Sequence, residues 1–171
     1  MSPTGLWVIA SVFAGLAFST IVGPATAQDA EKKDRSKIPP IVESAPLQYL
    51  PNDDEVQKLE KALFNERLAL MKSNYMLFLG GWQNQCRPAL DSARRLRSAG
   101  MVVLAKPSEQ IRLLEQLLEF SEYVANQLVY NEGVYREVIK GPHEWPLQQQ
   151  TLREFRLEIQ IELAKLKKAK K

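Results

Sequence analysis

Histidine and cysteine are almost missing from this chain: His143 and Cys86 stand alone in 171 residues. A structural metal centre needs several such side chains, or clustered carboxylates, within reach of one another. One of each, far apart in sequence, does not make that set. A disulfide framework needs an even number of cysteines, so packing must hold this fold. Cys86 reads as a buried thiol, with a link between two chains or a reactive nucleophile as alternatives. Its one charged neighbour is Arg87, which is thin support for thiolate chemistry. Also missing are a Gly-rich phosphate loop, Gly-x-Ser-x-Gly and His-Glu-x-x-His. No catalytic, cofactor-binding or metal-binding set emerges. His143 and Glu144 are adjacent in a turn, and adjacent residues are not an acid–base constellation.

Charge is missing from one stretch. Residues 1–27 contain no Asp, Glu, Lys or Arg. An apolar run from Leu6 to Val22 is followed by Ala25-Thr26-Ala27. Small residues at the −3 and −1 positions suit a signal peptidase, so cleavage after Ala27 is expected. The n-region lacks a basic residue, and the run approaches the ~20 residues that span a bilayer. An uncleaved amino-terminal membrane anchor is therefore the alternative. The mature chain is expected in the periplasm or outside the cell.

What is present is ordinary for a helical domain. Apolar residues make up 45% of the chain, enough for a core. The formal net charge of +3 falls wholly in residues 141–171, because residues 28–140 carry equal numbers of basic and acidic side chains. Residues 28–51 are dense in charge and proline (Pro39, Pro40, Pro46, Pro51). Proline removes backbone donors and disfavours helix in the residue before it. This segment is expected to be a disordered, extended linker, with the helical domain occupying residues 52–171.

Four helices are predicted, the second shorter than the others. The first starts at Asn52 or Asp53 and stops at Gly80-Gly81. It carries two apolar stripes at helical spacing: Val56, Leu59, Leu63, Leu70, Leu77, and Phe64, Leu68, Met71, Tyr75, Phe78. Both together imply one wide buried face. A second helix runs from about Pro88 to Leu104, with Gly100 costing it ~1 kcal/mol relative to Ala. A third runs from Pro107 to about Lys140, roughly 50 Å at helical rise. Its apolar rows are Ile111, Leu114, Leu118, Ala125, Leu128, Tyr135, Ile139 and Leu113, Leu117, Phe120, Val124. The fourth begins at Pro146, carries Leu152, Phe155, Ile159, Leu163 and Leu166 with Leu157 and Ile161 beside them, and runs into a lysine tail. No segment reads as a strand. The fold class is all-α: long antiparallel helices in a hairpin or bundle with coiled-coil-like packing.

Candidate contact residues follow from charge and aromaticity. Arg94, Arg95 and Arg97 form a basic cluster, expected to meet the glutamate row Glu115, Glu119 and Glu122 of a neighbouring helix, or anionic lipid. Glu115, Glu119 and Glu122 line one side of the third helix and read as a solvated face, with cation binding as the alternative. Tyr123, Tyr130 and Tyr135 lie along the same helix, and Trp145 sits before the last one. Such aromatics are core or partner contacts. Lys167 and Lys168, in the terminal lysine run, suit a helix C-terminus or an anionic surface. Export argues against nucleic acid.

Two stretches carry a resemblance. They are Val129-Tyr130-Asn131-Glu132-Gly133-Val134 with Gly141, and Leu152-Arg153-Glu154-Phe155-Arg156-Leu157-Glu158-Ile159-Gln160-Ile161-Glu162-Leu163. Together with Lys106-Pro107-Ser108-Glu109-Gln110-Ile111, the pattern resembles a group of uncharacterised exported bacterial helical proteins. That group is distantly similar to the helical hairpins of TolC-type outer-membrane efflux proteins. The resemblance implies a fold, and by extension an accessory of envelope transport. The chain is too short, and has no strands, to form such a channel itself.

Taken together, the residues point to an exported, non-catalytic helical structural or interaction module. Its expected partners are an envelope protein or a second copy. A transport accessory and a periplasmic ligand or metal sensor are the alternatives.

Overall fold

A computed structural model describes residues 38–82, 85–138 and 145–169, excepting the side chains of residues 134–138. The signal segment, its cleavage site at Ala27, linker residues 28–37, His143, Glu144, Lys170 and Lys171 lie outside the described residues. So do Ile139, Lys140 and the side chain of Tyr135.

Among the described residues the chain is all-helical, with five helices and no strand: α1 (Pro40–Glu43), α2 (Glu55–Leu79), α3 (Arg87–Val103), α4 (Pro107–Val138) and α5 (Trp145–Ala169). α1 falls where an extended, mobile linker is expected. Proline at its first turn is compatible with helix, and Ile41 reaches the core at 1% exposure. The stretch after it is clamped to α2. Leu47 donates its N–H to Asn65 Oδ1 at 2.7 Å, and Asn65 Nδ2 donates back to the Leu47 carbonyl at 3.0 Å. Lys72 Nζ donates to the Ser44 carbonyl at 2.6 Å. Residues 38–51 are therefore seated on the helices. The proline content that suggests a tether instead limits what an extended strap loses in entropy when it docks.

The start of α2 lies slightly later than expected. Asp54 is the N-cap, in a reciprocal capping box with Gln57. Asp53 instead accepts the Leu50 N–H and Lys61 Nζ at 2.7 and 2.6 Å. The Lys61 ammonium and that N–H hold its carboxyl below the usual carboxylate range. The helix stops at Gly80, and Gly81 adopts φ +73°, a left-handed conformation that a side chain would strain.

α3 has Pro88 in its first turn, as expected, and continues through Gly100 to Val103. Gly100 is a point of close approach: a Cβ there would meet Leu113 Cδ2 of α4 and Phe64 Cε2 of α2. The end of α3 is capped from the next helix. Gln110 Nε2 donates to the carbonyls of Met101 and Leu104 at 3.1 and 2.8 Å, satisfying helix-end acceptors.

The core is built from Phe64, Leu68, Met71, Tyr75 and Phe78 of α2 and Leu90, Ala93 and Leu96 of α3. α4 adds Leu113, Leu114, Leu117, Phe120, Val124 and Leu128, and α5 adds Trp145, Leu152, Phe155, Ile159 and Leu163. Tyr75 and Phe120 meet edge to face at 5.1 Å between ring centres. Burial pushes the Tyr75 hydroxyl up to about 12. The order of contacts gives helix directions. Ser121 and Glu115 of α4 meet Arg156 and Lys167 of α5, respectively, so these two helices run oppositely. Cys86 and Arg94 of α3 meet Gln148 and Glu158 of α5, so those two run the same way.

Candidate interaction surface

The two stripes of α2 have opposite fates. Phe64, Leu68, Met71, Tyr75 and Phe78 are buried. Val56, Leu59, Leu63, Leu70 and Leu77 are not: their exposures are 62%, 65%, 48%, 38% and 39%. This corrects the expectation of one wide buried face. An α-helix turns far enough per residue that the second stripe points past α3 rather than into the core. Met76 is exposed on the same helix, and Trp82 just beyond its end is 84% exposed. Single exposed leucines are unremarkable, whereas a row of them along several helical turns makes this face the candidate contact surface.

Beside this row, α2 and α3 enclose a groove of about 300 Å³ lined by Glu60, Leu63, Arg67, Arg95, Ala99 and Val102. A second hollow of about 370 Å³, lined by Leu70, Asn74, Arg87, Asp91 and Arg95, shares Arg95 with the first. Leu63, Ala99 and Val102 give an apolar floor. Arg67 and Arg95 give a cationic rim, and neither forms an ion pair among the described residues.

The arginine cluster divides. Arg95 is exposed and faces the groove. Arg94 and Arg97 are turned toward α5. Arg94 donates to Glu158 and Asp91 at 3.1 and 2.9 Å, and Arg97 to Glu158 at 3.0 Å with Glu162 at 3.5 Å. The Arg94 guanidinium also lies 5.6 Å from the Phe155 ring centre. Burial alone would lower the pKa of Arg94, but the Glu158 and Asp91 carboxylates hold it above its ordinary value. These two arginines fasten α3 to α5 and are not free for lipid.

The glutamates they meet are on α5, not the row on α4. That row has its own partners: Glu115 pairs with Lys167 at 3.0 Å and Glu122 with Arg156 at 3.7 Å. Glu119 is exposed. Among the described residues, no group of three or more His, Cys, Asp or Glu side chains is placed to hold a metal ion.

The remaining sequence candidates scatter. Trp145 is buried at the start of α5. Tyr123 is partly buried against the core, and Tyr130 is 41% exposed. Lys168 is exposed near the end of α5. They do not converge with Arg95 on one site. Cys86 is fully buried, and burial pushes its thiol up to about 11. That agrees with the buried-thiol reading and leaves little thiolate at neutral pH. No described helix is long and apolar enough to cross a membrane.

Compared with protein-family models, with curated proteins and with solved structures, the chain matches none.

Proposed function

We propose that this chain is an exported, non-catalytic interaction module whose working surface is the exposed face of α2 with the adjoining α2/α3 groove. The observation that carries the reading is the unburied row Val56, Leu59, Leu63, Leu70 and Leu77. Each of these half-exposed leucines forgoes part of the roughly 1.5–3 kcal/mol that full burial supplies. An amphipathic helix laid beside α2, its apolar side on this row and groove, recovers part of that energy, as in helix-in-groove recognition. The core side chains and the Arg94–Glu158 and Arg97–Glu158 pairs fasten the helices to one another behind the surface. Export rests on the uncharged apolar segment before Ala27 and places the surface in the periplasm or outside the cell. An accessory of envelope transport is one form such a module takes, supported by the resemblance in residues 129–163.

The test is a double substitution, Leu59→Gln with Leu70→Gln. Surface changes of this kind alter stability by about 0.5 kcal/mol or less. The expected result is an unchanged unfolding midpoint together with loss of co-purifying partner or of self-association. An unchanged association state at unchanged stability would remove the reading.

A further inference from the structure

We infer that the occupant of this face is a second copy of the same chain, its α2 laid antiparallel on the first about a two-fold axis near Leu63. The inference rests on the interaction-module reading and names its partner. A two-fold contact uses the same patch on both subunits, so the patch must complement itself. This one does in two respects.

The first is its apolar pattern. Val56 and Leu70 stand seven residues to either side of Leu63. Antiparallel pairing centred there sets Leu63 against Leu63, Val56 of one copy against Leu70 of the other, and the reverse. A row repeating every seven residues keeps facing a neighbouring helix along its length.

The second is charge. Glu60 and Arg67 lie on one flank of the row, three residues before and four after Leu63, and both line the groove. Neither forms an ion pair within its own chain among the described residues. Antiparallel helices bring like flanks together, so Glu60 of each copy comes beside Arg67 of the other, twice per dimer. A parallel pair turns this flank toward the one that carries Glu55, Ala62 and Glu66, where Glu60 meets no cation. Charge arrangement of this kind fixes orientation and register more than it adds affinity.

The test uses the full chain purified from cells that produce it, with single cysteines introduced on the face. Cys86 is buried and does not compete. Under mild oxidation Leu63→Cys, on the axis, is expected to give a covalent dimer. Val56→Cys and Leu70→Cys are expected to give little alone and a mixed disulfide when combined. Glu60→Arg is expected to weaken the dimer in sedimentation by about tenfold or more, and adding Arg67→Glu to restore it. Efficient self-crosslinking of Val56→Cys would mean parallel pairing and overturn the proposal. A wild-type chain that sediments as a monomer, with no Leu63→Cys dimer, would also overturn it. If a photo-crosslinker on the same face then captured a different envelope protein, the module reading would stand without the second copy. Capture of nothing would end both.

Discussion

The backbone N–H of Cys86 donates to Oε1 of Gln148 at 2.9 Å, joining the start of α3 to the start of α5 across 62 residues of sequence. The Cys86 thiol lies 3.8 Å from the Gln148 carbonyl oxygen and donates to it. Both residues are buried. A buried donor without its acceptor costs about 1–3 kcal/mol. Gln148→Ala is therefore expected to lower stability by about that amount in denaturant unfolding. A change near zero would mean that this contact does not tie the helices together.

Two glycines inside helices should respond in opposite directions to the same substitution. Gly133 of α4 is exposed, and among the described residues a Cβ there meets nothing within 4 Å. Gly133→Ala is expected to stabilise by roughly 0.4–1 kcal/mol, since it removes only backbone freedom from the unfolded chain. At Gly100 the added Cβ runs into Leu113 and Phe64, both buried. Overpacking costs about 1–3 kcal/mol, which outweighs the helix gain of ~1 kcal/mol. Gly100→Ala is expected to lower the melting temperature while Gly133→Ala raises it.

Alkaline pH should loosen the fold. Cys86 and Tyr75 have folded-state values raised by burial, to about 11 from 9.0 and to about 12 from 10.0. A group whose value is raised on folding stabilises the native state fully below its unfolded value, and loses that contribution as pH climbs to its folded value. The unfolding midpoint is expected to be insensitive to these groups below pH 9 and to fall from there toward pH 12. Tyr75→Phe should flatten the upper part of that decline. An identical decline in the variant would show that Tyr75 does not contribute to it.

Helix existence was legible in the sequence because the apolar residues of α4 and α5 recur at the helical period over many turns. Leu152, Phe155, Ile159 and Leu163 are buried, as their spacing implies, whereas Leu157 and Ile161 beside them are exposed. Which stripe of α2 goes inside was not legible. Both have the helical period, and the choice is made by what α3 presents to α2. Gly100 admits Phe64 there. The docking of Ile41 was hidden for a related reason: prolines describe a strap and a tether alike. Gln148 was overlooked although it sits four residues before Leu152 on the same face, a polar residue in register with the core. Of the arginine cluster, only Arg95 lies at the α2/α3 groove; the pairing of Arg94 and Arg97 with Glu158 depends on how α3 and α5 are aligned, which no local pattern encodes.

The most direct test of the α2 face as a working surface is photo-crosslinking in intact cells. A photoreactive side chain at Leu59, the most exposed of the row, is compared with one at Asn126, an exposed position on α4. The expected result is a discrete adduct from position 59 and none from position 126. No adduct from position 59, or equal labelling from both, would contradict the reading that this face exists to be covered.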